Sequence, residues 1–305
     1  LENIVINKSI SLIGENPNTT EIVGNGTRSV IFVNSKNVEI RNFTITGSGM
    51  LYPDSAITVN YTSGIVIKCN IIIANNNGIS IYSSANNIIF GNIIENNSFP
   101  GIFAVSMRDS VIMSNFIGKN LKGIALYIST NNRIINNIIK DNREEGIYLY
   151  SSVSNIIYHN NFQNNNFQGS TQAWSDMANV WDFEGEGNYW SDYNGSDFYM
   201  GFYKNETGSD GIGDEPYIIN SDNFDNFPLM GPFYSYDIRF WGEEYQVTLI
   251  SNSTISNFNF MTGEETGNRI LSFSVAGEGD SIGFCRVLIP MRVMNYTLIV
   301  LVDGE

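Results

Sequence analysis

Residues 56–169 repeat one pattern five times at alternating spacings of 22 and 23 residues, which leaves few architectures other than a solenoid. Each repeat opens with an apolar pair two residues apart: Ile57 and Val59, Ile79 and Ile81, Ile102 and Ala104, Ile124 and Leu126, Ile147 and Leu149. A second apolar column follows at Ile67, Ile89, Ile112, Ile134 and Ile157, and three residues later an asparagine column at Asn70, Asn92, Asn115, Asn137 and Asn160. A third apolar column, Ile72, Ile94, Ile117, Ile139 and Phe162, leads to a second asparagine column at Asn75, Asn97, Asn120, Asn142 and Asn165.

The columns are filled by isoleucine, a strand former, and no amphipathic run with helical period appears, so a leucine-rich repeat is disfavoured. The pattern predicts an all-β fold, a parallel β-helix with three short strands per coil. Asparagine suits the corners because it tolerates left-handed backbone and because stacked amides can bond one another from coil to coil. Both columns therefore read as structural.

Residues 1–168 are assigned to β-helix coils, the first two irregular. Residues 169–234, rich in aromatics, glycine and aspartate, are expected to cap the helix. Residues 235–305 are expected to form a small Ig-like β-sandwich from six strands near 238–241, 245–250, 255–260, 270–275, 282–289 and 296–302.

Strand alternation marks the outward positions. Val66, Ile88, Val111 and Ile156, with Phe90, Met113, Ile135 and Tyr158, form a largely apolar wall that calls for a cover, either a second copy of the chain or the chain's own C-terminal part. On a neighbouring face Tyr82, Tyr127 and Tyr150 share a column, a candidate contact for sugar rings.

The formal net charge of -15 argues against nucleic acid as a partner. No apolar run is long enough to span a membrane in this segment. The two cysteines, Cys69 and Cys285, are expected to be buried thiols, and His159 stands alone, so transition-metal chemistry has little to build on. Asp192, Asp197, Asp210, Asp214, Asp222 and Asp225 supply hard oxygen donors in a glycine-rich loop, and Ca²⁺ is the ion they would suit. Sequons at Asn7, Asn18, Asn25, Asn42, Asn60, Asn96, Asn194, Asn205, Asn252 and Asn295 permit N-glycosylation, although about six or seven would arise from the asparagine content alone. The start at Leu1 reads as that of a processed or incomplete chain.

Several motifs carry a family resemblance: NNF at 160–162, GNYWSDY at 187–193, DGIGDEPYII at 210–219 and DNFPLMGP at 225–232. In this order they resemble the NosD-like right-handed parallel β-helix proteins, found as archaeal surface proteins and as bacterial periplasmic copper-accessory proteins. The insert FYMGFYKNET at 198–207 departs from the family's usual run. The segment WGEEYQVTLISNSTISNFNF, with GFCRVLIP and VDGE, resembles the sandwich domain that follows such helices in archaeal surface proteins.

Glycoside hydrolysis needs two carboxylates about 5–10 Å apart on one face, and the outward columns show no such pair. Glu95, Asp109, Asp141, Glu144 and Glu145 fall mostly at corners, and Lys68, Arg133, Lys140 and Arg143 have no acid-rich strand beside them for a lyase. Copper handling wants clustered Met, His or Cys, and Met291 with Met294 is the nearest approach. The sequence thus reads first as a non-catalytic, exported cell-surface protein that assembles with itself into a layer, sheath or filament. The alternative is a surface β-helix that binds or cleaves carbohydrate.

Overall fold

The computed structural model describes residues 1–166, 169, 171–262, 268–277, 282–294 and 299–302. It contains a parallel solenoid and several small antiparallel sheets.

Three sheets run the length of the solenoid. The first stacks Ile4–Ile6, Ile31–Val33, Ser55–Asn60, Asn77–Tyr82, Ile102–Val105, Ile124–Tyr127, Ile147–Tyr150 and Ala173–Ser175. The second runs from Ser11–Ile13 to Ile156–Tyr158, and the third from Glu21–Val23 to Tyr189–Trp190. Registers follow the repeat: Ile79 pairs with Ile57 and Ile102, Ile89 with Ile67 and Ile112, and Ile94 with Ile72 and Ile117. All three columns point inward and are at most 1% exposed. Each such isoleucine contributes about 2 kcal/mol of burial free energy.

The asparagines form hydrogen-bonded ladders. Oδ1 of Asn92 accepts both the backbone N–H and the Nδ2 of Asn70, at 3.0 and 3.1 Å, and the same pair of bonds recurs at Asn115, Asn137 and Asn160. The second ladder runs likewise from Asn75 to Asn165. Left-handed backbone, however, belongs to the residue before each asparagine: Cys69, Gly91, Ser114, Asn136 and His159 have positive φ. The asparagine itself closes the bend from inside, which is why it is buried and its predecessor is not. A third ladder, Asn87, Ser110, Asn132 and Asn155, lines the remaining corner.

The far end of the solenoid is closed by aromatic rings. Phe162 stacks on Trp190 at 4.3 Å, and Trp190 on Tyr217 at 4.2 Å. Trp181 and Trp190 are fully buried. Each ladder finds a new terminator here: Asn160 passes to Asn188 and then Asp225, Asn165 to Gln172, and Asn155 to Asn179 and then Asn223. Strands of the first and third sheets thus continue inside the stretch 169–234.

Contacts divide the chain into two units, Leu1–Ser196 with Gly213–Pro228, and Asp197–Ile212 with Leu229–Glu305. In the second, Phe233–Phe240, Glu243–Ser251 and Cys285–Leu288 form an antiparallel sheet, and Thr254–Thr262 pairs with Arg269–Ala276. The hairpin at Trp241 and Gly242, both at positive φ, has the two-residue turn that matches strand twist. Ile238, Phe240, Val247, Leu249, Ile255 and Val293 make its core. The sixth expected strand, 296–302, opens on residues outside the described ones.

Both thiols are exposed, against expectation. Cys69 occupies a left-handed corner, where the side chain is turned away from the core.

Candidate functional site

Alternation in the first sheet sends two columns outward. One is Tyr82, Val105, Tyr127 and Tyr150; the other is Phe103, Ala125, Tyr148 and Trp174. Because strands in one sheet stand about 4.8 Å apart, rings in neighbouring coils meet. Phe103 lies 6.0 Å from Tyr82 and 5.4 Å from Tyr127; Tyr127 lies 5.8 Å from Tyr148 and 5.7 Å from Tyr150. Trp174 stacks on Tyr148 at 4.4 Å and on Tyr150 at 6.4 Å. Tyr52, from the preceding loop, meets Phe103 edge-on at 6.0 Å. The result is an unbroken aromatic stripe.

The three tyrosines expected on one face do share a column, and Phe103 bridges the gap that Val105 leaves between Tyr82 and Tyr127. Phe103 and Tyr148 sit between the members of the inward pairs Ile102 with Ala104 and Ile147 with Leu149, and Trp174 pairs with Tyr148 beyond the regular array. Tyr150 and Tyr52 are exposed and the other rings are half-buried.

Lys122 borders this stripe. Its ammonium lies 4.6 Å from the centre of the Tyr148 ring and pairs with Glu144 at 2.6 Å and with Glu145. Burial opposes the charge on Lys122, but the two glutamates outweigh it and hold the amine's pKa above the usual lysine range. Burial also raises the phenol pKa of Tyr127 and Tyr148. The Tyr82 phenol is pushed further up by burial and by the neighbouring Tyr52, and its shielded oxygen meets no partner at hydrogen-bonding geometry.

The apolar wall on the second sheet is less oily than its sequence. Ile88 is 43% exposed, but Val66, Phe90, Val111, Met113, Ile156 and Tyr158 are half-buried and Ile135 is buried. Side chains stacked on adjacent coils hide much of one another. Glu39 bridges Arg41 and Lys68 at one end, so Lys68 does have an acid on the strand beside it, and Arg133 bonds the Tyr158 hydroxyl at 2.9 Å.

The six aspartates do not converge. Asp197 accepts the backbone N–H of Asp210 and Gly211, and Asp210 accepts those of Gly201 and Ile212, all within the C-terminal unit. In the solenoid unit Asp192 bonds Gln172 and Tyr217, Asp222 bonds Ser221, and the Asp214 N–H bonds the Ser196 carbonyl. Asp225 is fully buried and accepts Asn188, Trp190 and Phe227 N–H groups. Among the described residues no three His, Cys, Asp or Glu side chains group as a metal ion requires. Among the described residues the carboxylates of Asp192, Asp197, Asp210, Asp222 and Asp225 accept protein donors, and His159 Nε2 is bonded to Glu186 at 2.8 Å.

Among the sequons, Asn7, Asn18, Asn25, Asn96, Asn194, Asn205 and Asn252 are exposed, while Asn42 and Asn60 are half-buried. Asn295 lies outside the described residues.

The family model described as periplasmic copper-binding protein (NosD) matches residues 2–195. The chain belongs to the NosD family. No curated protein matches it. Two mutant structures of the periplasmic alginate epimerase AlgG resemble this NosD chain at 22% and 23% identity, each with a TM-score of 0.38. The alignments cover 56% and 55% of this chain and 43% and 42% of the epimerase chains, so less than half of the epimerase is spanned. A Geobacillus virus E2 protein, ORF18, aligns over 98% of this chain and 70% of its own at 11% identity and a TM-score of 0.30. No helix is long and apolar enough to cross a membrane among the described residues.

Proposed function

We propose that this NosD-family chain is an exported β-helix protein that binds polysaccharide along its first sheet without cleaving it. The aromatic stripe from Tyr82 to Trp174 carries this reading. It runs along the coil axis, so successive rings meet successive units of an extended chain laid parallel to that axis. Tyrosine and tryptophan offer both an apolar surface and a polar tip, which is the mixture a sugar ring presents in return.

Binding is favoured over turnover by the state of the polar groups beside the stripe. A general base should have a pKa near the working pH. Lys122 is held protonated and the Tyr127 and Tyr148 phenols are raised, so none of the three is poised to take a proton at neutral pH. Export is supported by the periplasmic description of the family.

Tryptophan fluorescence tests this proposal. Trp174 is half-buried at the stripe, whereas Trp181 and Trp190 are sealed in the core. An oligosaccharide that occupies the stripe should change the emission of the native chain, and Trp174→Phe should remove that change. An unchanged ligand response in Trp174→Phe would contradict the assignment.

A second reading is self-assembly. On one coil Ile88 and Ile93 are 43% and 41% exposed, with the half-buried Phe90 beside them, and Ile138, two coils on in the third sheet, is 39% exposed. Such a patch across the second and third sheets supports association with another copy.

A further inference from the structure

A groove of about 550 Å³ runs along the corner between the first and second sheets, crossing four successive coils. Two cations line it, Lys36 and Arg108, and no carboxylate does. In a chain with 31 acidic and 16 basic residues that sign is a local reversal. Lys36 is exposed and has no carboxylate at ion-pair distance among the described residues. Arg108 pairs with Asp109 at 3.2 Å, but both side chains are largely in water, where such a pair is weak and leaves most guanidinium donors available.

The rest of the lining is hydroxyl. Ser35, Thr62, Ser63 and Ser83 all face the groove, and no hydrogen bond to another described residue occupies their side-chain oxygens. Tyr61 stands among them, 76% exposed and at φ 49. Its equivalents in later coils, Ser83, Ser106, Ile128 and Ser151, make the same left-handed bend. The bend turns the Tyr61 ring out into solvent beside the groove.

The geometry points to a subsite for acidic oligosaccharide, with Lys36 and Arg108 meeting a carboxylate or sulfate, the free hydroxyls bonding sugar oxygens, and Tyr61 supplying a ring face. The choice of a sugar rests on the first-sheet reading: Tyr82 of the stripe is followed directly by Ser83 and Ser84 of the groove, so one glycan chain can touch both.

The experiment is calorimetric titration of the full chain with three hexasaccharides: a galacturonate, a sulfated galactan and the neutral galactan. At least one acidic ligand should bind more tightly than the neutral one. In the double variant Lys36→Gln, Arg108→Gln that ligand should weaken roughly five- to thirtyfold, the range for one or two solvent-exposed charge pairs. Binding of the neutral ligand should be unchanged. No acidic preference in the native chain, or a preference that survives in the double variant, overturns the subsite. Trp174→Ala separates the two ideas. If it abolishes neutral binding and no acidic preference exists, the groove fails and the first-sheet reading stands. If acidic binding depends on Lys36 and Arg108 but not on Trp174, the first-sheet reading fails instead.

Discussion

Asp225 accepts the backbone N–H of Asn188 through Oδ2 at 2.7 Å, in the place where each earlier coil of that ladder presents an asparagine oxygen. The same oxygen accepts the Asn188 amide at 3.2 Å and the Trp190 indole at 2.8 Å. An aspartate thus ends a chain of amides, and a coil-to-coil pattern that would otherwise repeat is stopped by a side chain with no amide N–H to pass on.

Burial pushes the Asp225 carboxyl up to about 7, against the lowering effect of its Trp190 and Asn188 donors. A raised folded-state pKa means that the fold binds the proton more tightly than the unfolded chain does. Its contribution to stability is full below the unfolded carboxylate range and is lost as pH rises through about 7. Urea midpoints at acid and alkaline pH should therefore show a drop in the native chain that is missing in Asp225→Ala. That variant should also lose about 2–5 kcal/mol, since it leaves the Asn188 and Trp190 N–H groups buried without acceptors.

Asn115→Ala should break the same ladder in its middle. It removes the oxygen that accepts the Asn92 N–H and Nδ2, and the amide that donates to the Ile89 and Met113 carbonyls. The expected loss is about 2–6 kcal/mol for two or more orphaned buried groups. Chemical denaturation measures it, and a loss below about 1 kcal/mol would show that water replaces the amide.

The sequence made the solenoid legible because one coil's environment recurs in the next, so Ile67, Ile89 and Ile112 report a single constraint three times. The left-handed bends were misplaced onto the asparagines because their neighbours, Cys69, Ser114 and His159, share no residue type. The third ladder escaped notice because Ser110 interrupts it. Phe103, Tyr148 and Trp174 were hidden by the strongly apolar residues on either side. The aspartates looked like ion ligands because composition does not show that Asp197 and Asp225 spend their oxygens on backbone and indole donors.

Lys122→Met should leave Glu144 and Glu145 facing each other without their shared cation. Removing one partner from a partly buried cluster is destabilising, by about 1–3 kcal/mol at neutral pH. The two glutamates hold the Lys122 amine above the usual lysine range, so the deficit should be full at neutral pH and shrink as pH rises through and beyond that range. Thermal melts of the two proteins from neutral to strongly alkaline pH check both the size and the sign.

Self-association through the second sheet predicts a sedimentation coefficient that rises with concentration and stops rising in Ile88→Lys. The substitution places a charge at the most exposed point of the wall and disturbs little else. Sedimentation velocity that shows a monomer at every concentration would remove this reading and leave the first sheet untouched.

Glycan binding by the first sheet is tested most directly by titrating the native chain and Tyr148→Ala, Trp174→Ala with a panel of neutral and acidic oligosaccharides. Each base-to-ring stacking contact of comparable size contributes about 1–3 kcal/mol, so loss of two rings should weaken binding by at least tenfold while the melting transition stays cooperative. Equal affinity in the two proteins, or no binding of any oligosaccharide by the native chain, would contradict the account.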